Sequence, residues 1–362
     1  MNRLGEKIAG LIRAAGPISV ADYMATCLFD PDDGYYTTRE PFGVKGDFIT
    51  APEVSQIFGE LVAVWLVQAW EAIGRSAPVT LAEIGPGRGT LTKDIVRTVA
   101  RIAPDLAANA TVALIEASPR LTEVQRQTLG QSGVSITWHA TPASLPNQPL
   151  LIVGNEIFDA LPFRQFVKAD GKWLERAVGL DDHGQFRFGI GAATLDSDAL
   201  PPGWDNAPDG SIAEIAPPRE ALMADIAGRL VRDGGAGLFF DYGHLRPGLG
   251  DTFQAVRKHR SEDVFDNPGE ADLTSHVDFS ALAGTARALG LASHAITQAD
   301  FLLGMGLLER AGRLGENADA AARENISAAV ERLAGPEQMG GLFKALAVLP
   351  KGLVLPPFRN AS

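Results

Sequence analysis

Three short stretches of this 362-residue chain combine side chains that could do chemistry together. The first, Glu83-Ile84-Gly85-Pro86-Gly87-Arg88-Gly89-Thr90, follows the apolar run VTLAEIG and precedes TLTKDIVRTVARI, which has helical spacing. Glycines between a strand and a helix permit a tight turn and close approach of a ligand to the backbone. Loops that cradle a pyrophosphate are spaced G-x-G-x-x-G, whereas this one reads G-x-G-x-G with Pro86 inside it. It suits a nucleoside ligand without phosphate, such as S-adenosylmethionine (SAM), whose amino-acid half and sulfonium need room. The second stretch ends in Glu116, after the apolar run TVALI. A carboxylate there can accept hydrogen bonds from both ribose hydroxyls and would repel a 2′-phosphate. The third is Asn155-Glu156-Ile157-Phe158-Asp159, after LLIVG. Glu156 and Asp159, three positions apart, would share one side of a first helical turn. Paired carboxylates match a planar guanidinium through parallel N–H···O bonds.

Plainer readings stand beside each of these. Glycines and a surface acid also make an ordinary tight turn, and a nicotinamide cofactor is a further occupant of such a loop. Acidic residues favour a helix start because of the helix dipole. At Glu156 and Asp159 the sequence leaves the pocket and the helix-start readings level.

The elements that must position these residues alternate. Apolar runs at 79–85, 111–117, 134–139 and 149–155 are separated by helical stretches, and further strands are expected at 236–243, 291–297 and 343–350. Such βα repetition implies a parallel sheet with right-handed crossovers, a doubly wound α/β core that begins near residue 78. Residues 1–77 read as mostly helical, with a Gly/Pro/Asp-rich interruption between Asp30 and Asp47. From Phe163 to Ile190 the period changes to that of antiparallel strands turning at Asp170-Gly171 and Asp182–Gly184. The expected organisation is therefore a helical N-terminal region over 1–77 and a core over 78–350. That core carries a β-rich insertion at about 163–215 and a helical one at about 298–338, before a tail over 351–362.

Composition bounds the function. The chain is 46% hydrophobic and 21% charged, as in ordinary globular proteins. A net charge of −12 disfavours nonspecific nucleic-acid binding and suits a basic protein partner, although solubility alone accounts for most acidic chains. Cys27 is the only cysteine, which rules out an intrachain disulfide and a cysteine metal cage; no metal is expected. The apolar stretch from Leu61 to Ile73, broken by Gln68 and Glu71, is too short for a bilayer and reads as a buried helix. The first residues lack a secretory signal pattern. Arg3, Lys7 and Arg13 leave an organellar presequence open, while Glu6 and the lack of serine argue against one.

Nearly end to end, the chain resembles a known family. The shared motifs are DDGYY (32–36), GDFITAPEVSQIFGE (46–60), EIGPGRGTL (83–91), EASPRLTEVQ (116–125) and NEIFDALPFRQF (155–166). They continue with FDYG (240–243), PGEADLTSHVDF (268–279), TQADFLLGMG (297–306) and MGGLFKALAV (339–348). The family is that of the MidA-like protein arginine methyltransferases, associated with assembly of respiratory complex I. The resemblance implies a seven-stranded, Rossmann-like methyltransferase core, SAM as donor and an arginine of a complex I subunit as acceptor. It places the glycine loop on Gly85, Gly87 and Gly89 and the ribose acid on Glu116, and we add Glu83 and Asn155 to the cofactor site. The guanidinium role of Glu156 and Asp159 is our extension by chemistry.

Two departures, Phe253 where leucine is expected and Ser261 where an aromatic is expected, touch the substrate surface rather than the cofactor site. Thr50 and Glu53 have capping-box spacing, with Pro52 suited to a first helical turn. That leaves Asp47 unexplained, and a loop there could fold over bound SAM. Asp241, Tyr242 and His276 are weaker substrate-side candidates. The expected location is a bacterial cytoplasm, with the mitochondrial matrix second. The competing functions are a noncatalytic SAM-binding assembly factor and a small-molecule methyltransferase. The acceptor site, the number of methyl groups and the oligomeric state are not legible in the sequence.

Overall fold

The computed structural model describes residues 1–38, 50–196, 200–201 and 203–359. Two compact units emerge, one of Ile49–Ile157, Leu222–Leu245 and Val277–Ser362, the other of Met1–Phe48, Phe158–Ala221 and Arg246–His276.

The first unit is built on one sheet. Its strands are β1 (Val79–Ile84), β2 (Ala110–Ile115), β3 (Ile136–His139), β4 (Leu150–Asn155), β5 (Gly235–His244), β6 (Ala292–Thr297) and β7 (Phe343–Leu349). They lie in the order β6-β7-β5-β4-β1-β2-β3. The first five are mutually parallel, and β7 runs antiparallel between β5 and β6. A two-residue strand, Val277–Asp278, adds in parallel to the end of β5. Every residue of β1, β4 and β7 is buried, as expected for strands covered on both faces. The expected strands and the observed ones coincide to within about three residues at either end.

Helices α1 (Gln56–Ala72), α2 (Thr90–Ile102) and α3 (Pro119–Leu129) belong to this unit. Most of α1 is the apolar stretch read as a buried helix, and Phe58, Leu61, Trp65, Leu66 and Ala69 bury it in the core with Leu81, Val153 and Phe240. Among the described residues no helix is long and apolar enough to cross a membrane. Ser118 caps α3 by accepting from the Leu121 amide at 3.4 Å, with Pro119 in the first turn. The capping box expected at Thr50 does not form. Thr50 stands at the N-cap of a four-residue helix without a side-chain cap bond, and the Glu53 carboxylate lies 3.6 Å from Arg88 instead.

In the other unit, helices Arg3–Ala15 and Val20–Phe29 share a core with Phe163, Val178 and Phe253. Phe253, the residue where leucine is expected, meets Phe163 edge-on at 5.4 Å, so it is a packing residue of this core. The predicted antiparallel strands are present as Arg164–Ala169, Lys172–Leu180 and Phe186–Leu195. Asp170 (φ 49°) and Gly171 (φ 72°) are both left-handed, which a two-residue hairpin matched to strand twist requires. Strands Ile18–Ser19 and Ile212–Ile215 complete that sheet, and Gln254–Arg257, Arg260–Glu262 and Asp272–Thr274 form a separate small one.

Glu60 is the main buried charge of α1. Its carboxylate accepts from Arg310 at 2.6 and 3.2 Å and from Arg97 at 3.2 Å, linking α1 to α2 and to the helix Leu307–Gly315. That bond raises the basicity of Arg310 further. Glu60→Ala should lower unfolding stability by about 2 kcal/mol, a figure discounted for the partial exposure of both arginines. Urea denaturation measures it, and an unchanged midpoint would show that the ion pairs contribute nothing net.

Candidate functional site

The sheet order reverses direction between β1 and β4, and the loops leaving those two strands diverge there. In doubly wound sheets this is where ligands bind, beyond the carboxyl ends of the strands. Gly85 (φ 65°), Gly87 (φ 50°) and Gly89 (φ 82°) are all left-handed, so each position of the G-x-G-x-G pattern is required by the backbone. At Gly85 a Cβ would stand 2.6 Å from Ile157 Cγ2, so the loops after β1 and β4 touch at a position only glycine fits. The Gly85 amide donates to the Ile115 carbonyl at 3.1 Å, tying the loop to the end of β2.

Glu83 sits one residue from the end of β1, buried, and accepts a bond from the Thr92 hydroxyl of α2. Burial pushes its carboxyl up to about 7, partly countered by the Thr92 bonds and aided by the like charge of Glu116. Glu116 follows β2. One carboxylate oxygen accepts from the Ser118 amide at 2.7 Å, the other from the Gln125 amide nitrogen at 3.0 Å. Burial raises its pKa as well, and these hydrogen bonds pull it back down. Asn155 ends β4. Its Nδ2 donates to Glu156 at 2.8 Å, while its buried Oδ1 has no hydrogen-bond partner among the described residues.

Glu156 is left-handed at φ 55°, and its amide donates to the Phe240 carbonyl at 2.8 Å. The helical turn expected for Glu156 and Asp159 is therefore not formed: residues 156–161 make bends and a turn. Glu156 itself lies outside the helical region of the backbone, and Pro162 disfavours a helical residue just before it, so no helical turn spans 156–161. The helix-start reading falls with it. A non-glycine residue in this conformation is a strained position of the kind that clusters at ligand sites.

Tyr242, near the end of β5, stacks at a tilt on Phe343 at 5.5 Å, and its amide donates to the fully buried Asp241 at 3.0 Å. Asp159 and His276 belong to the other unit, where Arg219 joins their backbones. This buried guanidinium donates to the Asp159 carbonyl at 3.1 Å, the His276 carbonyl at 2.7 Å and the Ser275 hydroxyl at 2.5 Å. Within that unit the Tyr36 hydroxyl donates to Asp272 at 3.0 Å. Asp47 lies outside the described residues. Sequence reasoning missed Arg219, whose place in the first turn of the helix Pro217–Asp233 gives no signal of its role. It also gave no role to Gln125, although that residue closes one of the shared motifs.

These features fit SAM. Three left-handed glycines leave the backbone open to an amino-acid moiety, the ionisable carboxylate of Glu116 would accept from ligand hydroxyls, and the Asn155 Oδ1 would take a further donor. Fold and site together define the class of SAM-dependent methyltransferases. The chain belongs to the S-adenosyl-L-methionine-dependent methyltransferase family whose model matches residues 61–297. Its cofactor is SAM. It is 35% identical to protein arginine methyltransferase NDUFAF7, mitochondrial, of Danio rerio, over 94% of this chain and 86% of that one. To the Homo sapiens protein of the same name it is 34% identical, over 94% and 81%. A Burkholderia thailandensis protein solved with S-adenosyl-homocysteine bound superposes with a TM-score of 0.87 at 29% identity, covering 99% of this chain and 95% of that one. A native structure from the same organism superposes at 0.82 and 28% identity, with the same coverage.

The raised carboxyl of Glu83 has a measurable consequence. Unfolded, it titrates near 4.5; folded, at about 7, so the fold favours its protonated form. Its contribution to stability is fully present below about 4.5 and is lost as pH rises through about 7. Relative to Glu83→Gln, the ligand-free protein should therefore lose on the order of 3 kcal/mol between pH 4.5 and 8. Urea unfolding of both proteins across that range tests this, and a constant difference would mean that Glu83 ionises in the fold as it does in water.

Proposed function

We propose that this protein methylates an arginine side chain of a partner protein, a peripheral-arm subunit of respiratory complex I. Two supports are its relatives, which are named protein arginine methyltransferases, and a net charge of −12, which attracts a basic segment. The observation that carries the reading is Glu156, held left-handed at the carboxyl end of β4 beside the Gly85 loop. It offers a carboxylate where a cationic acceptor would meet the cofactor.

In this reading Glu83, Gly85, Gly87, Gly89, Glu116 and Asn155 hold SAM. Glu156 holds the acceptor guanidinium, and Asp159, three residues along the chain, is carried as its partner. Asp47, Tyr242 and His276 are carried as acceptor-side residues. The region 1–77 and the insertions at about 163–215 and 298–338 would then serve acceptor recognition around the core at 78–350. For the compartment we propose a bacterial cytoplasm. A single buried cysteine, Cys27, is compatible with reducing surroundings, and the relatives named above are mitochondrial.

Bound SAM supplies a methyl group activated by its sulfonium. The chain's own residues deal with the acceptor. An arginine is protonated at neutral pH, with a pKa above about 12, so a single carboxylate is a poor base for it. Glu156 instead accepts N–H bonds from the guanidinium and fixes its plane. It also keeps positive charge favourable while the nitrogen–carbon bond forms and the carbon–sulfur bond breaks. One guanidinium proton then leaves, and S-adenosylhomocysteine departs uncharged at sulfur. Positioning of this kind is worth several kcal/mol when reacting atoms are held at attack distance.

The test is transfer of labelled methyl from SAM to purified peripheral-arm subunits, with mass spectrometry to map the site. Label on one arginine is expected, with Glu156→Gln reducing turnover at least about a hundredfold while binding S-adenosylhomocysteine normally. Label on a small molecule or a carboxylate would overturn the acceptor. Unchanged turnover in the variant would remove Glu156 from the mechanism.

A further inference from the structure

Gln125, in the last turns of α3, is fully buried and makes three hydrogen bonds to three different segments. Its Nε2 donates to the Gly87 carbonyl at 2.8 Å and to the Glu116 carboxylate at 3.0 Å. Its Oε1 accepts from the indole nitrogen of Trp138, on β3, at 2.9 Å. The indole N–H can only donate, so it fixes which end of the amide faces it. Both amide hydrogens are thereby directed at oxygens, one in the glycine loop and one on the carboxylate that follows β2. Gln125 also approaches Gly89, where a Cβ would meet its Cγ at 3.6 Å.

We infer that Gln125 is a positioning residue for the cofactor: it sets the Gly87 carbonyl and the Glu116 carboxylate in register, and Trp138 sets Gln125. The inference rests on the reading of Glu116 as the ribose acid. With one lone pair of each oxygen engaged by Ser118 and Gln125, the remaining lone pairs of Glu116 are aimed in fixed directions, as a bidentate contact to two hydroxyls needs. The Gln125 bond also favours the ionised carboxylate against its burial. Without the amide, two part-buried acceptors, the Gly87 carbonyl and one oxygen of Glu116, each lose a donor at once, and a loop that must not move is free to.

The probe is S-adenosylhomocysteine, titrated calorimetrically into the full chain. Gln125→Met, which keeps the length and volume, should weaken binding roughly tenfold, the cost of removing one donor from each of two part-buried acceptors. Trp138→Phe keeps a ring but removes the indole donor, and should weaken binding a fewfold by releasing the amide. Gln125→Glu supplies a readout that a merely structural role would not move. Relative to the parent, its affinity should fall further as pH rises from 6 to 8, because only a protonated glutamic acid can donate a bond at this position. Glu116→Ala separates the two readings. If it binds as the parent does, the ribose reading fails; if it loses affinity while Gln125→Met and Trp138→Phe keep theirs, the inference on Gln125 fails alone. The double variant Glu116→Ala/Gln125→Met should lose less than the sum of its singles, and full additivity would overturn the coupling.

Discussion

The structure depends on one topological constraint: β1 and β4 lie side by side in parallel although about seventy residues separate their starts. Right-handed crossovers carry β2 and β3 to one side of β1 and β5 onward to the other side of β4. The chain therefore leaves β1 and β4 in opposite directions, and nothing of the sheet's own fills the space above them. Ile157 enters it from the β4 side until its methyl occupies the place a Gly85 Cβ would take. Gly154 is held to glycine by the same side chain, whose Cδ1 would stand 2.8 Å from a Cβ there. A glycine after β1, a glycine inside β4 and an isoleucine after it are thus one packing solution, and the ligand site is what that solution leaves open.

Electrostatics follow from the same placement. Carboxylates at the ends of buried parallel strands are poorly solvated, and Glu83 and Glu116 both have raised pKa values for that reason. The charge of Glu116 also adds to the cost of ionising Glu83. Such a site is unfavourable empty of charge compensation and favourable with a cation in it. SAM carries a net positive charge through its sulfonium and ammonium, so it is a cation of the kind such a field favours.

Much of this was legible in the sequence, for a physical reason. Buried parallel strands must be largely apolar along their length, so VTLAEI, ATVALI and LLIVG stand out, and the three left-handed loop positions favour glycine. The Asp170-Gly171 hairpin was legible because both residue types tolerate a positive φ. Other features left no periodic trace. Ile18–Ser19 is a two-residue strand whose partner, Ala177–Val178, is some 160 residues away, so no local pattern announces it. The left-handed Glu156 was hidden because glutamate is an ordinary helix former, and an acid pair with i, i+3 spacing mimics a helix start. Arg219 and Gln125 each act on backbone carbonyls far away in the chain, which spacing cannot encode.

The conformation of Glu156 bears on its chemistry. A glutamate inside a helical turn would share its carboxylate with nearby backbone amides, whose positive dipole end already compensates the charge. Turned left-handed at the end of β4, Glu156 instead receives the Asn155 amide at 2.8 Å, a neutral donor supplied by the preceding residue. Neutral donors orient a carboxylate without cancelling its charge. A carboxylate oriented in that way presents a planar cation with a defined plane. Since arginine stays protonated until after the methyl group moves, holding a cation in place is a better use of this acid than removing its proton. The strained backbone at Glu156 is consistent with a residue placed for what it holds rather than for the stability of the turn.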